Sequence, residues 1–395
     1  MTGRAIDMAI VGGGLAGGLA ALAVHRAHPA LEIALFESGD VYGGNHRWSW
    51  FDSDLAPAGE DLLAAFPQTR WDVGYDVRFP GLERTLASTY RSLASRDFDA
   101  TLRRLLPQAA LRLNSPVAEV AADSVQLATG EKVRAQIVVD CRDALPTPHL
   151  RGGWQLFLGR HLRLSSPHGI TRPIVMDAQV EQHDAYRFVY TLPLGTDELF
   201  VEDTYYADSP VLDRESLSRR IDRYCAANGW SGETVGEETG VLPVITGGDF
   251  AAQRQSLATP GVVAIGARGG FTHPLTSYTV PFAVDNALTL ARHAASPAQK
   301  LSARFERRAH DHWRDTAFYR HLGRMLFLGG EPEERYRIFA HFYRLPEPLV
   351  ERFYAGRSTL PDKGRILIGK PPIPIPAAIR ALLGKGAPLV HEGRP

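Results

Sequence analysis

The run Ala9-Ile10-Val11-Gly12-Gly13-Gly14-Leu15-Ala16-Gly17-Gly18-Leu19-Ala20-Ala21 constrains this chain more than any other stretch. An apolar strand leads into a glycine turn and then into a helix of small residues, which is the start of a dinucleotide-binding unit. Gly12 allows the tight turn, Gly14 lets backbone N–H groups approach a pyrophosphate, and Gly17 lets the helix pack close to its strand. The helix N-terminus then faces the phosphates, where its dipole favours negative charge. A second apolar strand, Leu31 to Phe36, ends at Glu37, twenty residues beyond Gly17 and at the place where an acid holds a ribose diol.

Global properties narrow the class. The 395 residues suffice for two packed domains, and Lys plus Arg equal Asp plus Glu at 44 each, so nothing points to nucleic acid. The two cysteines, Cys141 and Cys225, have no CxxC spacing, which argues against a disulfide framework or a thiolate metal site and for a reducing cytosol. The uncharged stretch Met8 to Val24 reads as strand, turn and helix rather than as a signal peptide or spanning helix.

Further along, Gly43 and Gly44 form the kind of pair that lets the chain of a flavoprotein pass close to FAD. His46 and Arg47 are either phosphate or flavin contacts or solvated loop residues. Apolar positions from Leu86 to Leu106 suggest helices over 82–106, lying on the nucleotide domain. Residues 136–141 return to a buried-strand pattern, with Cys141 read as packing rather than as a nucleophile. From 151 to 254 the chain reads as a different, mainly β domain. Its third strand, Glu198 to Tyr206, puts Glu202 with Phe200, Thr204 and Tyr206 on one face and Asp203 with Val201 and Tyr205 on the other.

A second strand and glycine turn, 261–270, holds Gly266, Gly269 and Gly270 and is followed by a helix from about Pro281 to Ala294; in folds of this kind the second turn is expected against the flavin. His273 before Pro274 is either an acid–base group or structural. The expected architecture is therefore α/β: a discontinuous Rossmann-type FAD-binding domain (1–80, 110–150, 255–300), a β-rich substrate domain (151–254) and a helical C-terminal region (301–395). Residues 361–385 of that region surround a proline run and carry a formal charge of about +4, which suits either a membrane surface or a solvated tail packed on the domain.

An ordered set of segments resembles the bacterial lycopene cyclase family, FAD-containing enzymes that close β-rings on acyclic carotenes. The set comprises Asn45-His46-Arg47-Trp48-Ser49, Pro173-Ile174-Val175-Met176-Asp177, the run from Arg187 to Leu194, Phe200-Val201-Glu202-Asp203-Thr204, and the run from His273 to Tyr278, and it continues through the runs from Phe342 to Pro346 and from Arg352 to Gly356. The family's Phe-Leu-Glu-Glu-Thr motif stands here as Phe-Val-Glu-Asp-Thr, so the resemblance carries its acids onto Glu202 and Asp203. It implies cyclisation of lycopene without net redox change, reduced FAD as cofactor, NADPH as the candidate electron source, and peripheral association with the cytoplasmic side of a membrane. The competing reading is a redox flavoenzyme of the same fold, a monooxygenase or isoprenoid reductase.

Overall fold

The computed structural model describes residues 5–144, 147–368 and 374–390. Three sheets organise the chain. The first has a parallel centre in which Ile6–Val11 lies between Ile33–Phe36 and Lys132–Asp140, with Val263–Ala264 beyond the latter. Such strands are buried on both faces and read as continuous apolar runs. The helices Leu15–Ala27, Val280–Arg292 and Ala298–Asp315 cover one face, through Leu19, Leu22, Val284, Ala287, Leu301 and Phe305. Residues 298–315 thus pack with the nucleotide core, so the expected boundary at 300 cuts through one packed unit.

The second sheet has eight strands and carries the inserted domain. Its spine is Thr147–Leu164, paired antiparallel with Gly232–Gly248 on one side and Glu198–Ala207 on the other. Tyr186–Pro193 follows, joined to Glu198–Ala207 by the hairpin at Gly195-Thr196-Asp197, where Leu194 N donates to Glu198 O at 2.9 Å. The helix Arg214–Ala227 covers one face of this sheet, through Leu217, Ile221 and Tyr224. The other face is buried by aromatic side chains of the C-terminal helices and of a small three-stranded sheet, Arg47–Phe51, Tyr90–Ala94 and Thr69–Trp71.

The expected helices over 82–106 are corrected. Leu82–Leu86 and Tyr90–Ala94 are strands, and only Ser95–Leu105 is helical. Gly81 (φ +75°) turns Tyr75–Phe79 back onto Leu82–Leu86, whose burial alternates at period two, so both belong to the second sheet. Short apolar runs fit both periods, and here strand pairing decides between them. Among the described residues from 298 to 383 the regular elements are all helices, and Ala387–Leu389 then adds a strand beside Thr147–Leu164. Residues 369–373, which hold the first part of the expected proline run, lie outside the described residues.

Candidate active site

The nucleotide cradle follows from a few close approaches. Gly12 adopts φ +96°, and a Cβ there would stand 2.9 Å from the Cys141 carbonyl carbon. At Gly17 a Cβ would lie 1.9 Å from the Gly12 carbonyl oxygen, so only glycine lets the helix start this close to its strand. Gly14, by contrast, has no atom within 4 Å of where its Cβ would stand, leaving room for a ligand at the helix N-terminus. Glu37 Oε2 accepts from Gly13 N at 2.8 Å and its Oε1 from Gly39 N at 2.9 Å, which fixes this carboxylate beside the turn.

The other glycine segments converge on the same place. Gly43 N donates to Gly13 O at 2.9 Å, with Gly44 next to it in a left-handed conformation. A Cβ on Gly266 would meet Ala16 at 2.8 Å, so the turn holding Gly266, Gly269 and Gly270 stands against the first helix. Arg268 and Arg142 both pair with Asp140, at 3.1 and 2.8 Å, tying the two turns together. An open helix N-terminus, a nearby carboxylate and close-packed glycines are a donor set that fits a dinucleotide. Cys141 is buried and donates its N–H to Val11 O, with its thiol pushed well above the usual range by burial, as expected for a packing residue.

On the second sheet, strand alternation separates the two acids. Asp203 is wholly buried on the face covered by Arg214–Ala227, where Arg187 grips it with Nε at 2.9 Å and Nη2 at 2.5 Å from Oδ2, and Arg220 stands 4.0 Å from Oδ1. Glu202 is partly buried on the opposite face and accepts from Thr204 Oγ1 at 2.5 Å. Burial pushes its carboxyl up to about 7, with Asp203 adding to the rise and the Thr204 hydrogen bond opposing it. A carboxyl raised this far is protonated in a substantial fraction of molecules near neutrality.

The surroundings of Glu202 are aromatic and hydroxylic. Tyr190 sits opposite it on the next strand and hydrogen-bonds through its hydroxyl to Ser49 Oγ (2.8 Å) and Tyr90 OH (3.0 Å). Phe200, on the same face as Glu202, meets Tyr190 edge-on at 6.3 Å. Tyr206 continues this face toward Phe327 and Phe339 at 6.2 and 6.0 Å. Arg47 Nη1 donates to Ser92 Oγ at 3.2 Å, and its guanidinium lies 5.7 Å from the Phe200 ring centroid. This side chain bridges the three-stranded sheet and the Glu202 face.

Two buried carboxyls escaped the reading of the sequence. Asp54 accepts from Tyr278 OH (2.7 Å) and Phe51 N (2.9 Å), its Oδ1 has no partner among the described residues, and burial pushes it up to about 7. Glu238 lies on Gly232–Gly248, in the glycine- and glutamate-rich first half of that strand, where the apolar pattern is weak. His273 is wholly buried, accepts at Nδ1 from Leu275 and Thr276 N–H groups (3.4 and 3.3 Å), and is pressed down to about 3 by burial. It is thus a neutral, structural histidine.

A dinucleotide-binding α/β unit joined to a long-stranded sheet, with an aromatic-lined acid on one face, defines the fold class. The fold matches a geranylgeranyl bacteriochlorophyll reductase-like protein from Thermoplasma acidophilum (TM-score 0.57, 13% identity, covering 97% of this chain and 96% of that one). It also matches a variant of the halogenase PltM in complex with FAD (TM-score 0.58, 11% identity, 89% of this chain and 82% of that one). The family model described as lycopene cyclase protein matches residues 7–380. A lycopene beta-cyclase from Pseudescherichia vulneris is 45% identical over 381 residues, covering 95% of this chain and 97% of that protein. The chain belongs to the lycopene cyclase family.

Proposed function

We propose that this protein is an FAD-dependent lycopene β-cyclase, which closes β-rings on the acyclic ends of lycopene to give γ- and β-carotene. The observation that carries this reading is the placement of Glu202 among aromatic rings on the sheet face opposite the Asp203 ion pair, where burial raises its carboxyl to about 7. Glu202 donates its proton to C2 of the end group, the electrons of the C1=C2 bond forming the new C–H bond. The C5=C6 pair then attacks C1, and loss of the C6 proton restores a double bond between C5 and C6. Phe200, Tyr190 and Tyr206 offer ring faces to the cation and exclude water that would trap it as an alcohol. Gly12, Gly14, Gly17 and Glu37 would hold the dinucleotide, with Gly43, Gly44, Gly266, Gly269 and Gly270 lining its path. Reduced FAD bound there supplies negative charge that stabilises the cation, and NADPH is the proposed electron source. Asp203 acts in this scheme by anchoring its strand rather than by meeting substrate.

Peripheral membrane association belongs to the same proposal, since the substrate is lipid-soluble. Leu360, Leu367, Ile368, Ile379 and Leu383 are exposed on or beside the last two helices, next to Lys363, Arg365 and Arg380. No helix among the described residues is long and apolar enough to cross a membrane. The test is anaerobic incubation of pure protein with chemically reduced FAD and lycopene, followed by product chromatography. Ring-closed carotenes support the reading. Absence of product, or product formed only with oxygen uptake, transfers the protein to the redox class.

A further inference from the structure

Glu202 has a second carboxylate opposite it that the cyclase reading above does not use. The spine residue Gly159 pairs with Glu202 on one neighbouring strand and with Glu238 on the other, and Tyr190 pairs with Glu202 beyond. Directly paired residues of antiparallel strands share a face, so Tyr190, Glu202, Gly159 and Glu238 form one row. The two glutamates are two strand spacings apart, about 10 Å between backbones, and the residue between them has no side chain. A Cβ at Gly159 would stand 2.3 Å from the Phe200 ring and 3.2 Å from Glu238 Cγ, so the space above this glycine is already taken by those groups. Glu238 is only 8% exposed although it is a glutamate.

We propose that Glu238 is a positioning residue electrostatically coupled to Glu202 across Gly159, so that the pair holds one proton between its two carboxyls when substrate arrives. Two buried carboxylates on one face resist double ionisation, because each charge disfavours the other. Burial pushes Glu238 up to about 8, with the charge of Glu202 adding to the rise and Arg47 opposing it. Other titratable or charged groups act on this row: Arg47 from the three-stranded sheet, Tyr190 in the row itself, Asp203 through the strand from the opposite face, and His161, paired with Glu198, in the adjacent row of the same face. Of these, Glu238 is the carboxyl in register with Glu202. The proton balance is closed: one proton leaves the pair for C2 and one returns from C6, so the pair is restored after each ring without a net proton from solvent.

The inference rests on the cyclase reading, and its test separates the two. In holoenzyme, the alkaline limb of kcat/KM for lycopene reports loss of the shared proton. Glu238→Gln keeps shape and removes the charge, so the limb should move toward acid by about one pH unit or more while the acid plateau is retained. An unmoved limb overturns the pairing. Loss of turnover at every pH with FAD content intact also overturns it, because Glu238 would then act on substrate directly. If Glu238→Gln fails to fold, infrared titration of Glu202→Gln holoenzyme follows Glu238, with Asp54→Asn present in both this protein and its reference so that Asp54 does not contribute. Its midpoint should fall relative to that reference, and an unchanged midpoint refutes the pairing. Absence of lycopene turnover in wild type would sink the functional reading and leave the infrared result standing.

Discussion

Asp203 offers the sharpest separation between a structural and a catalytic acid. It is 0% exposed, and Arg187 holds it through two nitrogens while donating Nη1 to Glu181 O at 2.9 Å. Asp203→Asn removes the anion and leaves the Arg187 guanidinium, 5% exposed, without a countercharge. Breaking one side of a buried pair costs about 3–5 kcal/mol. Arg220, 4.0 Å from Oδ1 and itself a cation, would add to the uncompensated positive charge. Replacing both partners by apolar residues, Arg187→Met with Asp203→Leu, removes the desolvation penalty as well and should be neutral or stabilising by about 1–4 kcal/mol. Urea unfolding followed by circular dichroism measures both, and turnover per folded, FAD-loaded molecule is measured alongside. The expected pattern is a large stability loss in the single variant, recovery in the double, and turnover within a few-fold of wild type in both. A single variant within about 1 kcal/mol of wild type, or one whose turnover falls as far as that of Glu202→Gln, refutes the structural assignment.

Three further outcomes follow from the geometry. Gly14→Val fills the open space at the helix N-terminus and should purify folded but depleted of FAD, so a full flavin absorbance would contradict the cradle. Glu202, Asp54 and Glu238 have folded pKa values raised to about 7, 7 and 8, above those of the unfolded chain. Their contribution to stability is therefore full below about pH 4 and lost as pH rises through about 7–8; the urea midpoint should fall over that window, and a rising midpoint would reverse the sign. Binding to anionic vesicles should weaken with salt yet persist in part, and Leu383→Asp with Leu367→Asp should abolish the persistent part; unchanged sedimentation of that variant would remove these helices from the membrane face.

The nucleotide half was legible because its signals are local. Gly12, Gly17 and Glu37 act within one strand–turn–helix unit, and their spacing alone states the geometry. The opposition of Glu202 and Asp203 was legible for the same reason, since strand alternation is a property of consecutive residues. The span 82–94 was not, because Leu86, Tyr90 and Leu93 satisfy a helical period equally well until Tyr75–Phe79 and Arg47–Phe51 supply partners. Glu238 and Asp54 were invisible for a related reason. Glu238 gains meaning only from its register across Gly159, and Asp54 from Tyr278, 224 residues away in the chain. For Arg47 the residue type leaves open a phosphate or flavin contact and a solvated loop position, and only the fold brings it to Phe200 and Ser92.

The central claim is that Glu202 delivers the proton that starts ring closure. Wild type and Glu202→Gln, both loaded with reduced FAD, are incubated anaerobically with lycopene in deuterated water and the products analysed by mass spectrometry and NMR. Wild type should give rings bearing deuterium at C2 without stoichiometric consumption of NADPH. The Gln variant should retain FAD and fold while turnover falls by about a hundred- to ten-thousand-fold or more. Near-normal turnover by Glu202→Gln, with deuterium still entering at C2, would contradict the claim and place the acid elsewhere.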